Sequence, residues 1–376
     1  MYDFETLAAI GEGECGYESA ISPPIFQTST FGGGGEYSYS RCSNPTRDAL
    51  ERMLASMEGG KYAFAFSSGL GAVNAVFSLL KSGDHILVSD DLYGGTYRLI
   101  TRIYKRYGIE FEFVDMGNAE NVARAMRDNT AMVFAESPTN PMMKIVPLRA
   151  IAELCREKNV VFAVDNTFLS PYFQNPLTLG ADVVIHSATK FISGHHDTVA
   201  GAVVTNTERL AERFAMISMT LGNSLAPFDC WLVLRGIRTL PMRMEKHQEN
   251  AIAFARFLET LPEIDRVIYP ALESHSGRSL CAEQARGFGG VVSFTVRDIE
   301  SVAKLVSGGR IIKFAESLGG FRTLITYPLT QTHASVPNER REKIGITDKL
   351  LRISVGLEHI EDIKNDFLCM LHGEEG

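Results

Sequence analysis

Residues 160–198, VVFAVDNTFLSPYFQNPLTLGADVVIHSATKFISGHHDT, constrain the fold more than any other stretch of the chain. Two short apolar runs, 160–164 and 181–185, are rich in β-branched residues and stop abruptly at polar chemistry. Runs of this kind, separated by loops and short helices, fit strands buried on both faces of a parallel sheet. The first ends in Asp165, and the second leads into Ser187, Thr189 and Lys190. Ligands of open α/β sheets collect at the carboxyl ends of the strands. A carboxylate and a lysine amine delivered there together suit a cofactor that uses both. Pyridoxal phosphate (PLP) does, because its aldehyde takes a lysine and its ring nitrogen takes an anionic partner.

The same alternation extends on either side. Strands are expected at 62–66, 85–88, 110–114, 131–135 and 201–205. A helix should open at Asn44-Pro45-Thr46 with Thr46 as its cap, place Leu50, Met53, Leu54 and Met57 on one face, and stop at Gly59-Gly60. Further helices are expected over 72–80, from the Tyr93 segment through about Tyr107, and over 148–157. Strand-helix alternation of this kind predicts a mostly parallel, doubly wound sheet. Between the first strand and its helix, Ser67-Ser68-Gly69-Leu70-Gly71 would expose free N–H groups at a positive helix end, a ready cradle for phosphate. Beyond residue 205 a long helical pattern, 228–258, should kink or break near Pro241. Strand-like runs at 266–269, 289–296 and 324–326 then alternate with helices at 298–306 and 360–371. The division expected is an arm over 1–45, a cofactor-binding domain over 46–235 and a smaller α/β domain over 236–376. In the arm, Pro23, Pro24 and the glycines at 32–35 forbid a long regular element. Its Tyr37, Tyr39 and Arg41 belong either to a solvated loop or to an arm that reaches a neighbouring subunit.

Composition narrows the partners. A chain of 376 residues with 45% apolar and 22% charged residues is that of an ordinary globular protein, long enough for two domains. A net charge of −8 without basic runs argues against nucleic acid and anionic membranes. No apolar stretch approaches the ~20 residues of a membrane span, and the acidic N-terminus is unlike a signal peptide. Six widely spaced cysteines (15, 42, 155, 230, 281, 369) read as reduced thiols of a cytoplasmic protein. No metal site is expected, since the adjacent His195 and His196 should point apart.

The ordered landmarks are Tyr39-Ser40-Arg41, Ser67-Ser68-Gly69, Tyr93-Gly94-Gly95-Thr96, Glu136-Ser137-Pro138-Thr139-Asn140-Pro141, Val164-Asp165-Asn166-Thr167, His186-Ser187-Ala188-Thr189-Lys190, Glu316-Ser317-Leu318-Gly319-Gly320 and Arg352-Ile353-Ser354-Val355-Gly356-Leu357-Glu358. In this order and spacing they closely resemble the Cys/Met-metabolism family of PLP-dependent enzymes, the trans-sulfuration lyases and synthases. The resemblance implies PLP-dependent transferase fold type I, with a seven-stranded-type sheet and a smaller C-terminal α/β domain. It implies that Lys190 carries PLP and moves protons, and that Asp165 pairs with the pyridine nitrogen beside Thr167. Gly69 and Leu70 would offer N–H groups to the phosphate, with hydroxyls from Ser187 and Thr189. Tyr39 and Arg41 would complete that site from a neighbouring subunit of a homotetramer built from dimers. Arg352 would clamp the substrate carboxylate, and Asn140 and Ser317 would orient substrate or cofactor. Tyr93 would stack on the ring and help move protons, with a packing aromatic as the competing reading.

The reaction implied is β-elimination of cystathionine or a related cysteine S-conjugate to a thiol, pyruvate and ammonia. γ-Elimination or γ-replacement by a γ-lyase or γ-synthase is the alternative. Gly95 stands where methionine γ-lyases typically carry Cys, and Arg322 where γ-lyases and γ-synthases commonly carry Glu. His196 replaces the usual Ser of Gly-His-Ser-Asp. A non-catalytic PLP-binding protein is disfavoured by the intact Lys190, Asp165 and Arg352. A nucleotide-binding module is disfavoured because no GxGxxG follows a strand with an acid in the right place.

Overall fold

The continuous β-branched runs pair with one another and leave no strand face to solvent at the centre of the chain. In the computed structural model, which describes residues 2–11 and 20–373, they form a seven-stranded sheet. Cys15 lies outside the described residues. The strands are β1 (Tyr62–Phe66), β2 (His85–Ser89), β3 (Glu110–Val114), β4 (Thr130–Glu136), β5 (Val161–Asp165), β6 (Val183–His186) and β7 (Gly201–Thr205), in the order β1-β7-β6-β5-β4-β2-β3. Only β7 runs against its neighbours, β1 and β6; the other pairings are parallel. Every residue of β2, β6 and β7 is buried, which is why these runs show no polar alternation.

Successive residues of β5 serve opposite faces. Phe162 and Val164 join Leu50, Met53 and Ile151 from the helices Pro45–Glu58 and Leu148–Lys158, whereas Ala163 joins Val73, Phe77 and Phe214 from Gly69–Phe77 and Glu208–Leu221. Asp165, two residues after Ala163, therefore faces the side on which the Gly69 helix begins. Burying each large apolar side chain of this kind contributes about 1.5–3 kcal/mol before the loss of chain entropy is counted.

Several local expectations are corrected. Asn44, not Thr46, caps the first long helix, its side chain accepting the Thr46 N–H at 3.0 Å. The segment after Tyr93 is not one α-helix to Tyr107: α-helix Gly94–Arg98 widens to a π-turn at Leu99–Ile103 and tightens to 3₁₀ at Tyr104–Tyr107. Crowded Ile100, Thr101 and Ile103 lie there, and the Thr101 hydroxyl donates to Tyr97 O at 2.6 Å, competing with the regular ladder. The break expected near Pro241 does occur, at Arg238-Thr239, with Pro241 inside the first turn of Leu240–Leu258, where its missing N–H costs nothing. The arm also holds a short helix, Phe4–Ile10, whose carbonyls at Ala8 and Ala9 accept from Arg238.

The second sheet contains β8 (Ile264–Ile268), β9 (Val291–Val296), β10 (Lys313–Phe314), β11 (Leu324–Thr326) and β12 (Leu350–Ser354), ordered β10-β11-β12-β9-β8. Neither β12 nor the helix Asn338–Ile344 is among the sequence expectations. The strand lies centrally, all five of its residues are buried, and Arg352 at its middle pairs with Ser293 and Thr326. Helix Leu240–Leu258 packs on β8 and β9 as well as on Phe4–Ile10 and Ser170–Phe173, so it ties the second sheet to the first. Among the described residues no helix is long and apolar enough to cross a membrane.

Candidate active site

The carboxyl ends of β4, β5 and β6 lie abreast, with Glu136 paired to Asp165 and Asp165 to Ile185. Together with the Ser68 turn, the Tyr93 segment, the 316–318 loop and Arg352 of β12, they enclose a cavity of about 360 Å³. Gly69, Leu70, Tyr93, Asn140, Asp165, Thr167, Ser187, Thr189, Lys190, Ser317 and Arg352 all line it.

Lys190 sits in the turn after β6, and its Nζ donates to Ser317 Oγ at 2.7 Å. Burial, then the Arg352 charge, pulls the amine down to about 8, while Glu316 pulls the other way. Ser317 has a left-handed φ of 96°, and Gly319 a φ of 76° at a point where a Cβ would lie 2.6 Å from Phe191 N. That glycine lets the loop lie directly on the Lys190 turn. On β5, Asp165 Oδ1 accepts both the N–H and the hydroxyl of Thr167, at 3.0 and 2.5 Å. Thr167 Oγ1 in turn accepts the Ser187 N–H at 2.9 Å, which locks the ends of β5 and β6 together. Burial raises the Asp165 pKa, and the Thr167 bonds oppose that rise. A cationic ring nitrogen at this carboxyl would offset the same burial.

The Ser68 side chain caps helix Gly69–Phe77 by accepting from Gly71 N at 2.9 Å. The N–H groups of Gly69 and Leu70 lie in the first turn, where no intrahelical acceptor exists. A Cβ on Gly69 would stand 2.6 Å from Ser187 Cβ, so only glycine permits the turn to close on β6. The Thr189 hydroxyl is held by the backbone of Ala200, donating at 3.0 Å and accepting at 2.9 Å. Across the cavity, buried Arg352 donates to Asn140 Oδ1 at 2.8 Å, Ser317 O at 3.0 Å and Thr326 Oγ1 at 3.2 Å; its Nε has no partner among the described residues. Burial draws this guanidinium down to about 10, against the pull of Glu136 and Glu316.

Tyr93 precedes helix Gly94–Arg98 and is 40% exposed. Its ring covers Gly95, where a Cβ would be 2.3 Å from the ring edge. Its N–H donates to Glu136 Oε2 at 3.0 Å. Glu136 belongs to a recognised motif but not to the expected site residues; its signal was that it ends β4 as Asp165 ends β5. Tyr39 and Arg41 are not brought to this cavity by their own chain. Both are exposed: Arg41 donates to Met219 O at 2.7 Å and lies 5.4 Å from the Tyr39 ring centre. Arg322 is also turned away, donating to Ile311 O and Arg310 O. His196 adopts a left-handed φ of 58°, and its ring lies against Gly320 and 5.3 Å from that of Phe321.

The residues present fit PLP. A buried amine of lowered basicity, a carboxyl ending the neighbouring strand and a glycine-tight helix start meet in one cavity of small-ligand size, and an arginine with an unpaired Nε closes the far side. The profile described as Cys/Met metabolism PLP-dependent enzyme matches residues 6–372. A cystathionine beta-lyase of Lactococcus lactis subsp. cremoris is 46% identical over 352 residues, covering 92% of this chain and 93% of that protein. A cystathionine gamma-lyase of Bacillus subtilis is 46% identical over 352 residues, with the same shares covered. The crystal structure of a cystathionine gamma synthase from Xanthomonas oryzae pv. oryzae superposes with a TM-score of 0.95 at 39% identity, over 99% of this chain and 98% of that one. The chain thus belongs to the Cys/Met-metabolism family of PLP-dependent enzymes and has their fold type I architecture.

Proposed function

We propose that this enzyme is a carbon–sulfur lyase that cleaves cystathionine, or a related cysteine S-conjugate, by β-elimination. The observation that carries the reading is the Lys190 amine, lowered to about 8 and held 2.7 Å from Ser317 Oγ, in one cavity with Arg352. PLP, when bound, supplies an electron sink joined to the substrate Cα. Asp165, held by Thr167, would pair with the ring nitrogen. The N–H groups of Gly69 and Leu70 and the Ser187 hydroxyl would take the phosphate, joined by the Thr189 hydroxyl once its proton turned from Ala200 O. Tyr93 would lie against the ring. Arg352, aimed by Asn140, receives the substrate carboxylate through its planar donors. Lys190 removes the Cα proton and returns a proton to the departing sulfur, with Ser317 steering its amine. Loss of the β-thiolate leaves a three-carbon fragment that hydrolyses to pyruvate and ammonia.

Support for β rather than γ comes from the beta-lyase relative and from two positions. Gly95, under the partly exposed Tyr93 ring, stands where methionine γ-lyases typically carry Cys. Arg322 replaces the Glu common in γ-enzymes, although its side chain faces the 309–312 loop rather than the cavity. The second reading, γ-elimination or γ-replacement, is favoured by the equally similar gamma-lyase and by the gamma-synthase fold match. Incubation with cystathionine separates them, with Lys190→Ala as control. Pyruvate and homocysteine are expected, whereas 2-oxobutyrate and cysteine would assign a γ-lyase. Turnover only with an O-acylhomoserine and cysteine would assign a synthase. A cytoplasmic homotetramer with shared sites completes the proposal.

A further inference from the structure

The Tyr93 and Asn140 segments follow different strands, and two buried acids bind them to each other in opposite directions. From β4, Glu136 Oε2 reaches across to accept the Tyr93 N–H at 3.0 Å, while the Glu136 N–H takes Ser89 Oγ at the end of β2 at 3.3 Å. From the β2 side, Asp91 Oδ2 accepts the Thr139 hydroxyl and the Met142 N–H, the latter at 3.0 Å. Glu136 is only 5% exposed, yet it lines the cavity beside Asp165 and Arg352. Three Arg352 hydrogen bonds go to Asn140, Ser317 and Thr326, and among the described residues Glu136 has no ion pair of its own. Burial, then the Asp165 charge, lifts its acid well above the usual carboxyl range, against the Tyr93 N–H and Arg352. Charged or neutral, a carboxyl can accept an N–H through one of its oxygens.

We propose that Glu136 is a positioning residue that acts through Tyr93, its oxygen fixing the Tyr93 main chain so that the ring is held at the cavity wall. This rests on the reading of Tyr93 as the residue against the cofactor ring. No charge is needed for the task, only an acceptor of the right length. Glutamine supplies one, and methionine, of similar length and volume, does not.

The test uses PLP-loaded enzyme and its visible circular dichroism band, which reports how an aromatic side chain and the protein orient the chromophore. Glu136→Gln should keep the band, and kcat should stay within about threefold of the parent. Glu136→Met should diminish the band and lower kcat about tenfold, with a smaller change in KM, because a small displacement of a group at the reacting centre is costly. In the Glu136→Met, Tyr93→Ala double variant the losses should not multiply beyond that of Tyr93→Ala alone. Losses that multiply, or a Glu136→Met protein indistinguishable from the parent, would overturn the assignment. So would a Glu136→Gln enzyme with unchanged melting temperature that loses as much as Tyr93→Ala, and this arm decides the matter if the methionine variant does not fold. A parent without a PLP band would overturn the site itself and this inference together, whereas the variant outcomes touch only Glu136.

Discussion

An amine buried beside a guanidinium releases its proton more readily than one in water, because burial and the like charge both penalise the ammonium. For Lys190 burial is the larger cause and Arg352 the second. Only the neutral amine attacks an aldehyde. Covalent capture of PLP by apoprotein should therefore quicken as pH rises towards about 8 and level off above it, followed as borohydride-fixed label on Lys190. Replacing Arg352 with Met removes one lowering charge, so the midpoint should move to higher pH. A midpoint that stays in place or falls would show that Arg352 does not act on the amine.

Elements here are held at their ends as much as along their faces. Asn44 shows the point. Its Oδ1 caps Pro45–Glu58 while its Nδ2 donates to Phe26 O at 2.9 Å and Ser40 Oγ at 3.0 Å, so one buried side chain ties the arm to the first long helix. Asn44→Ala should cost about 1–2 kcal/mol and lower the melting temperature by about 1–3 °C. A thermal melt that does not move would mean that water or Thr46 takes over the cap. The same logic explains the segment after Tyr93. Its winding changes twice within fourteen residues, Gly94–Arg98, Leu99–Ile103 and Tyr104–Tyr107, because β-branched crowding and a hydroxyl back-bond act on one turn at a time.

At the scale of the molecule the cavity is a joint product of both sheets: β4, β5 and β6 contribute from one, and Arg352 of β12 from the other. Arg352 and Asn140 are 212 residues apart in the chain, and their 2.8 Å bond forms only when helix Leu240–Leu258 has docked the second sheet. The exposed Tyr39 and Arg41 stand outside their own chain's cavity, in keeping with the proposal that they serve a neighbour. Two variants each inactive alone, Arg41→Ala and Lys190→Ala, should then complement when unfolded, mixed in equal amounts and refolded. Random pairing leaves about a quarter of the sites with both residues intact, so about a quarter of the parent activity should return. Mixtures that stay inactive would mean that Arg41 serves no neighbouring site.

What the chain declares by itself is the central sheet and the chemistry at its edge. The inner runs of the first sheet, such as β2, β6 and β7, are legible because a strand buried on both faces is largely apolar, whereas the edge strand β3, EFEFV, is legible by its polar–apolar alternation. Asp165 and Lys190 are legible because a charge that ends such a run needs a partner. Strand β12 was hidden, since LLRIS is short and carries an arginine that becomes intelligible only beside Asn140 and Ser317. Glu136 was quoted in a motif yet its task was invisible, because the task follows from lying in register with Asp165 and within reach of Tyr93. Arg322 occupies a telling position in sequence but turns to the carbonyls of Arg310 and Ile311. Local pattern records whether a side chain meets solvent or core. Which distant groups it meets, and in which direction it points, is settled by strand register and by the docking of the two sheets.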